Sequence, residues 1–562
     1  MKKDFFLLVC FCLGVAGTEI APAAETAPEA CWKLSGDVLD SSVQNRNAEN
    51  HGVVFDVPAP DGTPAARFNG RDAFVEVPGE IVPGTGDFTL SLWAYTEAAL
   101  DDGLGDLLSN FDPDRRKGFT LGLAAYSGVG NSQPNHRTVH FGVDDGTEPV
   151  WTFRGHPGNA VFIFGFAVHE GALYAATCEP GAGEAGHVYR YGGGTDWTDC
   201  GSPDGSNAVM AIAVHDGHVY AGTGWYDTTG SALEASPNTT PGGKVYRYEG
   251  GTNWTFCGAL TNPETGEAGT LGGLGVYKGE LYATTLKQPG FGLYRYTGGT
   301  MWAYCGNPGR RVLNPSVYNG GLYLVSYDAP GGPFRFDDAG WSYTGGTLDP
   351  PISQDYCFAV YGGRLYLSTW PQAYVHRLEN SGTWKACGRP ADELETMGMM
   401  VYNGKLYAGT LPSSKVYRLD QEDAWTPLGD QLDTAEGKYR RAWSMALYGG
   451  ELFCGTLPSG KVFSLRAGAC LTHDHALAPG WRHLAAVRSD RTLALYVDGA
   501  PAGTCNMPEG TAFDLATGRG LKIGAGPGDY FNGWMLDLRI YHQALPETLI
   551  QQLCATGRPS AP

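Results

Sequence analysis

One pattern recurs seven times between about Ala160 and Arg466 and constrains the fold more than any other feature of the chain. Each copy carries a strand of the type Gly-x-Leu-Tyr-Ala-x-Thr. Its two central positions are Leu173-Tyr174, Val219-Tyr220, Leu281-Tyr282, Leu322-Tyr323, Leu365-Tyr366, Leu406-Tyr407 and Leu452-Phe453, spaced 41 to 62 residues apart. That period suits a four-stranded propeller blade. An apolar strand precedes each copy and ends in a polar-Gly or Gly-Gly pair such as Asp216-Gly217 or Asn319-Gly320, which supplies the positive φ of a two-residue hairpin. A third strand follows as Val188-Tyr189-Arg190-Tyr191 and its relatives. A fourth opens at Trp197, Trp254, Trp302, Trp341, Trp384 and Trp425, each with Gly four residues on. Four strands per unit make a blade.

The seventh unit stops after its third strand, Val462-Phe463-Ser464-Leu465. The missing Trp-x-x-x-Gly element stands before the first unit, at Trp151-Thr152-Phe153-Arg154-Gly155. A ring closed by strands from both ends has no exposed edge and brings the two ends of the segment together, as an inserted domain requires. The repeated Tyr, Arg and Trp side chains are expected to pack and pair between blades. The residues immediately before the glycine of each Trp-x-x-x-Gly (Cys200, Cys257, Cys305 and Cys387, with Thr344, Leu428 and Arg154 in the other blades) lie in different blades, too far apart to bridge.

The flanks read as a second all-β unit split by the insertion. Ala66-Arg67-Phe68-Asn69-Gly70 through Pro78, Asp87-Phe88-Thr89-Leu90-Ser91-Leu92-Trp93-Ala94, Gly480 to Val487, Leu493 to Gly499 and Phe531 to Leu545 alternate apolar and polar residues between turns, as half-buried antiparallel strands do. These stretches, in this order, resemble the laminin-G-like, concanavalin A-like jelly-roll family, and the repeat resembles the broad kelch-like class. The expected fold is therefore all-β, a concanavalin A-like β-sandwich interrupted by a seven-bladed β-propeller. The expected division is a signal peptide at 1–23, a linker at 24–30, sandwich at 31–149, propeller at 150–466, sandwich again at 467–556 and a tail at 557–562.

The resemblance implies binding of glycan or protein by an exported protein. Related sandwiches hold a structural calcium partly through an acid in a final-strand pattern like Gly-x-x-Asp-x-x-Arg-x-Tyr. Here that place is Leu536, and strict alternation points the neighbouring Asp537 to the other face, so no cofactor is expected and calcium is doubtful. Lys2 and Lys3 before the apolar run Phe5 to Ala16 read as an export signal, which places the chain in the periplasm, at the cell surface or outside the cell. No later run is long enough to span a membrane. A net charge of −20 argues against nucleic acid. Export permits disulfides. Cys31 with Cys554 is the favoured pair, at the two ends of one domain, and Cys470 with Cys505 a weaker one; of the eleven cysteines left after the signal, one must stay unpaired.

No motif for nucleophilic, metal-hydrolytic or phosphate chemistry is present, so no catalytic residue is assigned. One propeller face should carry only tight turns, and the opposite face the variable links. Variable loops on a rigid scaffold are where binding concentrates. The candidate ligand-binding residues are Trp225, Tyr226, Asp227, Arg310, Arg311, Tyr327, Asp328, Trp370 and Arg440, with Glu234, Gln372, Tyr439 and Arg441 on the same links. The leading expectation is non-catalytic recognition of glycan or protein. The alternative is a glycosidase or polysaccharide lyase on the same face, for which Asp227, Glu234 and Asp328 are the carboxylates to check.

Overall fold

A computed structural model describes residues 27–124 and 137–559; the expected signal peptide, the first residues of the linker and the last of the tail lie outside them. The fold is a concanavalin A-like sandwich and a seven-bladed propeller. The inner strands of the blades are Phe162–His169, Ala208–His215, Leu271–Tyr277, Val312–Tyr318, Gln354–Tyr361, Glu395–Tyr402 and Arg441–Tyr448. Each ends in a two-residue hairpin whose residues both take positive φ, from Glu170 (47°) and Gly171 (73°) to Gly449 (57°) and Gly450 (74°). That conformation twists the hairpin with its strands.

The last blade is built from both ends of the segment. Val150–Phe153 pairs antiparallel with Val462–Arg466, Trp151 opposite Leu465 and Phe153 opposite Phe463. The adjoining strands Thr138–Asp145 and Ala469–His473 are paired in turn, with Val143 opposite Ala469. The chain thus passes from sandwich to propeller and back along one two-stranded ribbon.

Every blade is tied to its predecessor by the same bond. The indole N–H of Trp197 donates to the carbonyl of Arg154 (2.8 Å), Trp254 to Cys200 (2.8 Å), Trp302 to Cys257 (2.8 Å), Trp341 to Cys305 (3.2 Å), Trp384 to Thr344 (2.9 Å), Trp425 to Cys387 (2.9 Å) and Trp151 to Leu428 (2.9 Å). The acceptors are the backbone carbonyls of the repeat's Cys-equivalent position, which explains why that side chain varies.

The sandwich draws strands from both flanks into each of its sheets. One sheet orders Ala30–Trp32, Asn532–Tyr541, Phe88–Thr96, Gly480–Ser489, Thr492–Val497 and Ala500–Asn506. The other orders Glu49–His51, Phe74–Val77, Leu521–Ile523, Gly105–Ser109, Lys117–Ala124, Thr138–Asp145 and Ala469–His473. Phe68, Phe88, Leu90, Leu92, Phe119, Phe141, Leu484 and Ile540 fill the space between them. A helix, Glu547–Thr556, lays Ile550 on the outer face of the first sheet.

Two sequence expectations are corrected here. Cys31, Cys554, Cys470 and Cys505 are free thiols. Cys31 lies on the edge strand opposite Arg539, whereas Cys554, on the helix, sits against Gly499 at the turn between the fifth and sixth strands of the sheet. Four strand spacings, roughly 19 Å, separate the two places, well beyond disulfide reach. Cys470 and Cys505 face different ways. Alternation along Ala469–His473 turns Cys470 toward the propeller core while Cys505 packs on the sandwich core. The second correction concerns Asp537. A bulge at this residue, with φ at 52° and a register shift between Leu536 and Arg539, breaks the alternation and turns its carboxylate onto the side of Arg539. Burial works against the charge there, but hydrogen bonds from Arg539 (2.9 Å) and Lys33 (2.8 Å) outweigh it and lower the pKa.

The tight-turn face of the propeller rests on the sandwich. Lys278 N–H donates to Leu100 O (2.8 Å), Gly320 N–H to Asp101 O (2.9 Å), Gly362 N–H to Pro527 O (2.7 Å), Gly171 N–H to Asp474 O (3.0 Å), and Asn403 Nδ2 to Val143 O (3.0 Å). Between the two bodies lies a cavity of about 90 Å³ lined by Asp106, His140, Asp529, Ala359, Met400 and Leu447, among others. Beside it Asp102 accepts from the Asn319 N–H at 2.9 Å. Burial, and for Asp529 also the charge of Asp102, raises the pKa of both acids.

Two predictions arise from this packing. Replacing Trp302 or Trp151 by Phe leaves a buried carbonyl unpaired and should lower the unfolding free energy by about 1–3 kcal/mol, measured by urea titration. An unchanged midpoint for both would show that the indole bonds contribute nothing. The acids give a pH dependence. The native state retains protons that the unfolded chain, with carboxyls near about 4, releases. Their contribution is thus most favourable below that range and is lost as pH rises through the raised native values. Asp529→Asn should stabilise the protein at pH 7.5 by about 1.4 kcal/mol per pKa unit relieved and much less at pH 4.5. An equal effect at both pH values would contradict the linkage.

Candidate functional site

The residues that open the seven inner strands stand at the end of the channel away from the sandwich. They are Phe162, Ala208, Leu271, Val312, Gln354, Glu395 and Arg441. Four are apolar; three consecutive blades supply an amide, a carboxyl and a guanidinium. The Arg441 Nε lies 3.7 Å from Glu395 Oε2, close enough for an ion pair and too long for a hydrogen bond. The Tyr356 hydroxyl is 2.6 Å from Gln354 Oε1 and 3.2 Å from Glu395 Oε1. Burial raises the pKa of Glu395, with Arg441 opposing it, and holds the Tyr356 hydroxyl well above its ordinary range, reinforced by Glu395.

The long link from Gly224 to Gly243 reaches across this trio. Asp227 caps a short 3₁₀ turn, Thr228–Ser231, by accepting from the Thr229 N–H (3.2 Å). The turn delivers Ser231 Oγ to Arg441 Nη1 at 3.0 Å, and the Tyr226 hydroxyl bonds the same oxygen. An aromatic floor lies below. Phe162 and Phe164 (ring centroids 4.2 Å apart) contact Tyr226, Phe162 contacts Trp443 at 5.0 Å, and Tyr327 tilts against Tyr356 at 4.9 Å. Trp370 and Tyr439 pack on the same cluster. On the rim Lys287 sits 4.1 Å over the Trp225 ring, and burial lowers its pKa while Asp227 counteracts.

Of the candidates read from sequence, Tyr226, Tyr327 and Trp370 share this cluster, and Trp225 borders it through Lys287. Arg311 and Asp328 are joined, the Arg311 N–H to Asp328 Oδ2 at 2.8 Å and Arg311 Nη2 to Oδ1 at 3.0 Å, with the guanidinium 5.6 Å from the Tyr327 ring. Arg310 and Arg440 secure loops instead. Arg310 bonds the Pro330 carbonyl and overlies Tyr343, and Arg440 bonds Pro412 O and Gln431 Oε1. The trio Gln354, Glu395 and Arg441, with Tyr356 beside it, escaped the sequence reading, which had placed only Arg441, on a variable link. Aligned on their hairpin turns, the inner strands of the third and fourth blades place Thr270 and Arg311, each one residue before its strand begins, level with Gln354, Glu395 and Arg441.

Among the described residues, four buried polar atoms around this mouth lack a hydrogen-bond partner: Glu395 Oε2, Arg441 Nε, Arg311 Nε and Trp225 Nε1. Buried polar groups are ordinarily satisfied, so this cluster is a ready place for a polar ligand. Among the described residues no group of three or more His, Cys, Asp or Glu is placed to hold a metal ion.

Residues 423–551 match the family model of the concanavalin A-like lectin/glucanases superfamily, a span that includes the second flank of the sandwich. No curated protein sequence matches the chain at a significant level. Among solved structures, virginiamycin B lyase from Staphylococcus aureus aligns over 57% of this chain and 99% of its own with 13% identity and a TM-score of 0.44. A gluconolactonase from Xanthomonas campestris aligns over 65% of this chain and 98% of its own, with 11% identity and a TM-score of 0.32. A sialidase from Trypanosoma rangeli covers 76% and 96%, with 12% identity and a TM-score of 0.29. These are likenesses of fold at most.

Glu395 and Arg441 form a buried pair whose members depend on each other. Arg441→Met leaves the carboxyl without its counter-ion and should destabilise the protein by about 3 kcal/mol. The double variant with Glu395→Gln should recover part of that loss in a urea-denaturation cycle. Additive losses would mean the two side chains do not interact.

Proposed function

We propose that the protein is an exported recognition protein that binds a glycan or a protein at the channel mouth of its propeller and performs no chemistry on it. The observation that carries this reading is the set of buried polar atoms without a hydrogen-bond partner beside half-buried aromatic rings, on the face that the sandwich leaves open. Rings such as Tyr327, Trp370 and Trp225 present flat apolar surface to a sugar or an aromatic side chain. Arg311, Arg441 and Glu395 supply directional contacts at the centre. Export rests on Lys2, Lys3 and the apolar run after them.

A second reading, a carbohydrate-active enzyme at the same mouth, draws support from Glu395, whose proton affinity is raised by burial as a general acid's is. Retaining hydrolysis needs a second carboxylate about 5–5.5 Å away. The carboxylates nominated from sequence are otherwise engaged or turned outward: Asp227 caps its own turn, Asp328 is held by Arg311, and Glu234 is exposed. Recognition is therefore the stronger reading.

The test is binding of the purified protein to arrayed glycans and to polysaccharide and protein ligands, with Tyr327→Ala and Trp370→Ala alongside. Saturable binding weakened at least about tenfold by either variant, one factor of 1.4 kcal/mol, is expected. Absence of saturable binding to every polymer would overturn the proposal. Release of new reducing ends or unsaturated sugars would transfer the site to the enzymatic reading.

A further inference from the structure

Aromatic rings at the propeller mouth carry cations on their faces. Lys287 lies 4.1 Å over the Trp225 ring, the Arg311 guanidinium 5.6 Å from Tyr327, and Lys438 4.8 Å from Tyr439. Trp225 follows the strand His218–Gly224 of the second blade, Lys287 follows Glu280–Thr285 of the third, and Arg311 precedes Val312–Tyr318 of the fourth. Three successive blades thus build one corner of the mouth. Burial lowers the pKa of Lys287, Asp227 opposes the shift, and the charge of Arg311 adds to it. Among the described residues, no carboxylate is ion-paired with Lys287.

The acids near this corner are engaged. Asp328 accepts the Arg311 N–H at one oxygen and Arg311 Nη2 at the other. Asp355 spends its two oxygens on the Ser326 and Gly332 N–H groups, at 3.0 and 2.9 Å, and burial raises its pKa to about 7. Asp227 turns Oδ1 onto the N–H and hydroxyl of Thr229. Of the four buried atoms without a hydrogen-bond partner, Arg441 Nε and Glu395 Oε2 face each other at 3.7 Å. The other two, Arg311 Nε and Trp225 Nε1, are donors, and the ammonium between their residues donates only. This corner therefore calls for acceptors. A carboxylate supplies two oxygens, with a charge that strengthens each bond. An extended peptide brings an N–H for nearly every C=O and would set donors against donors. The oxygens of a uronate sugar can all accept, and its ring C–H faces can lie on Trp225 or Tyr327. The net charge of −20 opposes a polyanion at long range. Screening over about 8 Å at physiological salt leaves the contacts to decide.

Resting on the recognition reading above, we infer that Lys287, Arg311 and Trp225 form a carboxylate subsite, and that the ligand of the mouth is an acidic, uronate-bearing glycan. The full-length protein would be titrated calorimetrically with trigalacturonate and trimannuronate, each beside its methyl ester, and with hexaglutamate as a peptide carrying the same charged group. At least one uronate trisaccharide should bind at least about tenfold more tightly than its ester, which keeps the sugar and removes the charge. Lys287→Gln and Arg311→Gln should each weaken that binding about tenfold. Lys287 stands on the rim, so its variant keeps the test valid should Arg311→Gln fail to fold. The inference is overturned if neither uronate binds up to about 10 mM, if the esters bind as the acids do, if hexaglutamate is preferred, or if folded Lys287→Gln keeps the parent affinity. Should a neutral glycan or a protein then bind and Tyr327→Ala weaken it, the recognition reading stands while this inference falls. Absence of any saturable ligand removes both.

Discussion

A ring of blades holds only if each is fastened to the next, and here one hydrogen bond does this at every junction. The tryptophan that opens each outer strand passes its N–H to a backbone carbonyl of the preceding blade, and the seven bonds run unbroken round the ring. The bond needs a long side chain with a donor at its tip and a bare carbonyl opposite. The donor residue is accordingly invariant across the repeats while the acceptor residue can be Cys, Thr, Leu or Arg. Trp151 and Trp197 supply the two junctions of the composite blade, so the ring's closure depends on a residue that precedes the first full repeat.

Closure has a second consequence. The strands that complete the last blade are continuous with a strand pair of the sandwich, which holds the propeller close to its host. The tight hairpins, with backbone N–H groups left over at their tips, then meet carbonyls of the sandwich loops. One end of the channel is thereby built into an interface and the other left open. The polar trio Gln354, Glu395 and Arg441 stands at the open end because inner strands run from that end toward the hairpins. Position along the strand, rather than loop identity, brings these groups together.

Much of this was legible in the residues. Polar-Gly pairs report hairpins because few other residues accept positive φ, and Trp-x-x-x-Gly marks the outer strand wherever it occurs, including at Trp151. Tyr226, Tyr327 and Trp370 were recognisable as mouth residues because their links interrupt an otherwise regular repeat. Glu395 was hidden by its setting at the start of a regular apolar strand. The importance of a carboxyl there depends on which residues open the neighbouring blades. Arg310 and Arg440 looked equivalent to Arg311 and Arg441 in sequence, yet each one-residue step turns a side chain to another side of its strand or loop. Asp537 was misread for the opposite reason, since a bulge suspends the alternation that the reading assumed.

The sequence by itself determined the number of blades, the turn at the end of each inner strand, and the interruption of one β unit by another. All of these are local patterns repeated along the chain, and local backbone preference suffices to write them. Tertiary structure alone decided which propeller face is covered, which thiols stay apart, and where unpaired donors and acceptors converge. Those outcomes depend on the distance between residues hundreds of positions apart. That distance is set by how sheets stack and how the ring sits on its host, and no single stretch of chain encodes it.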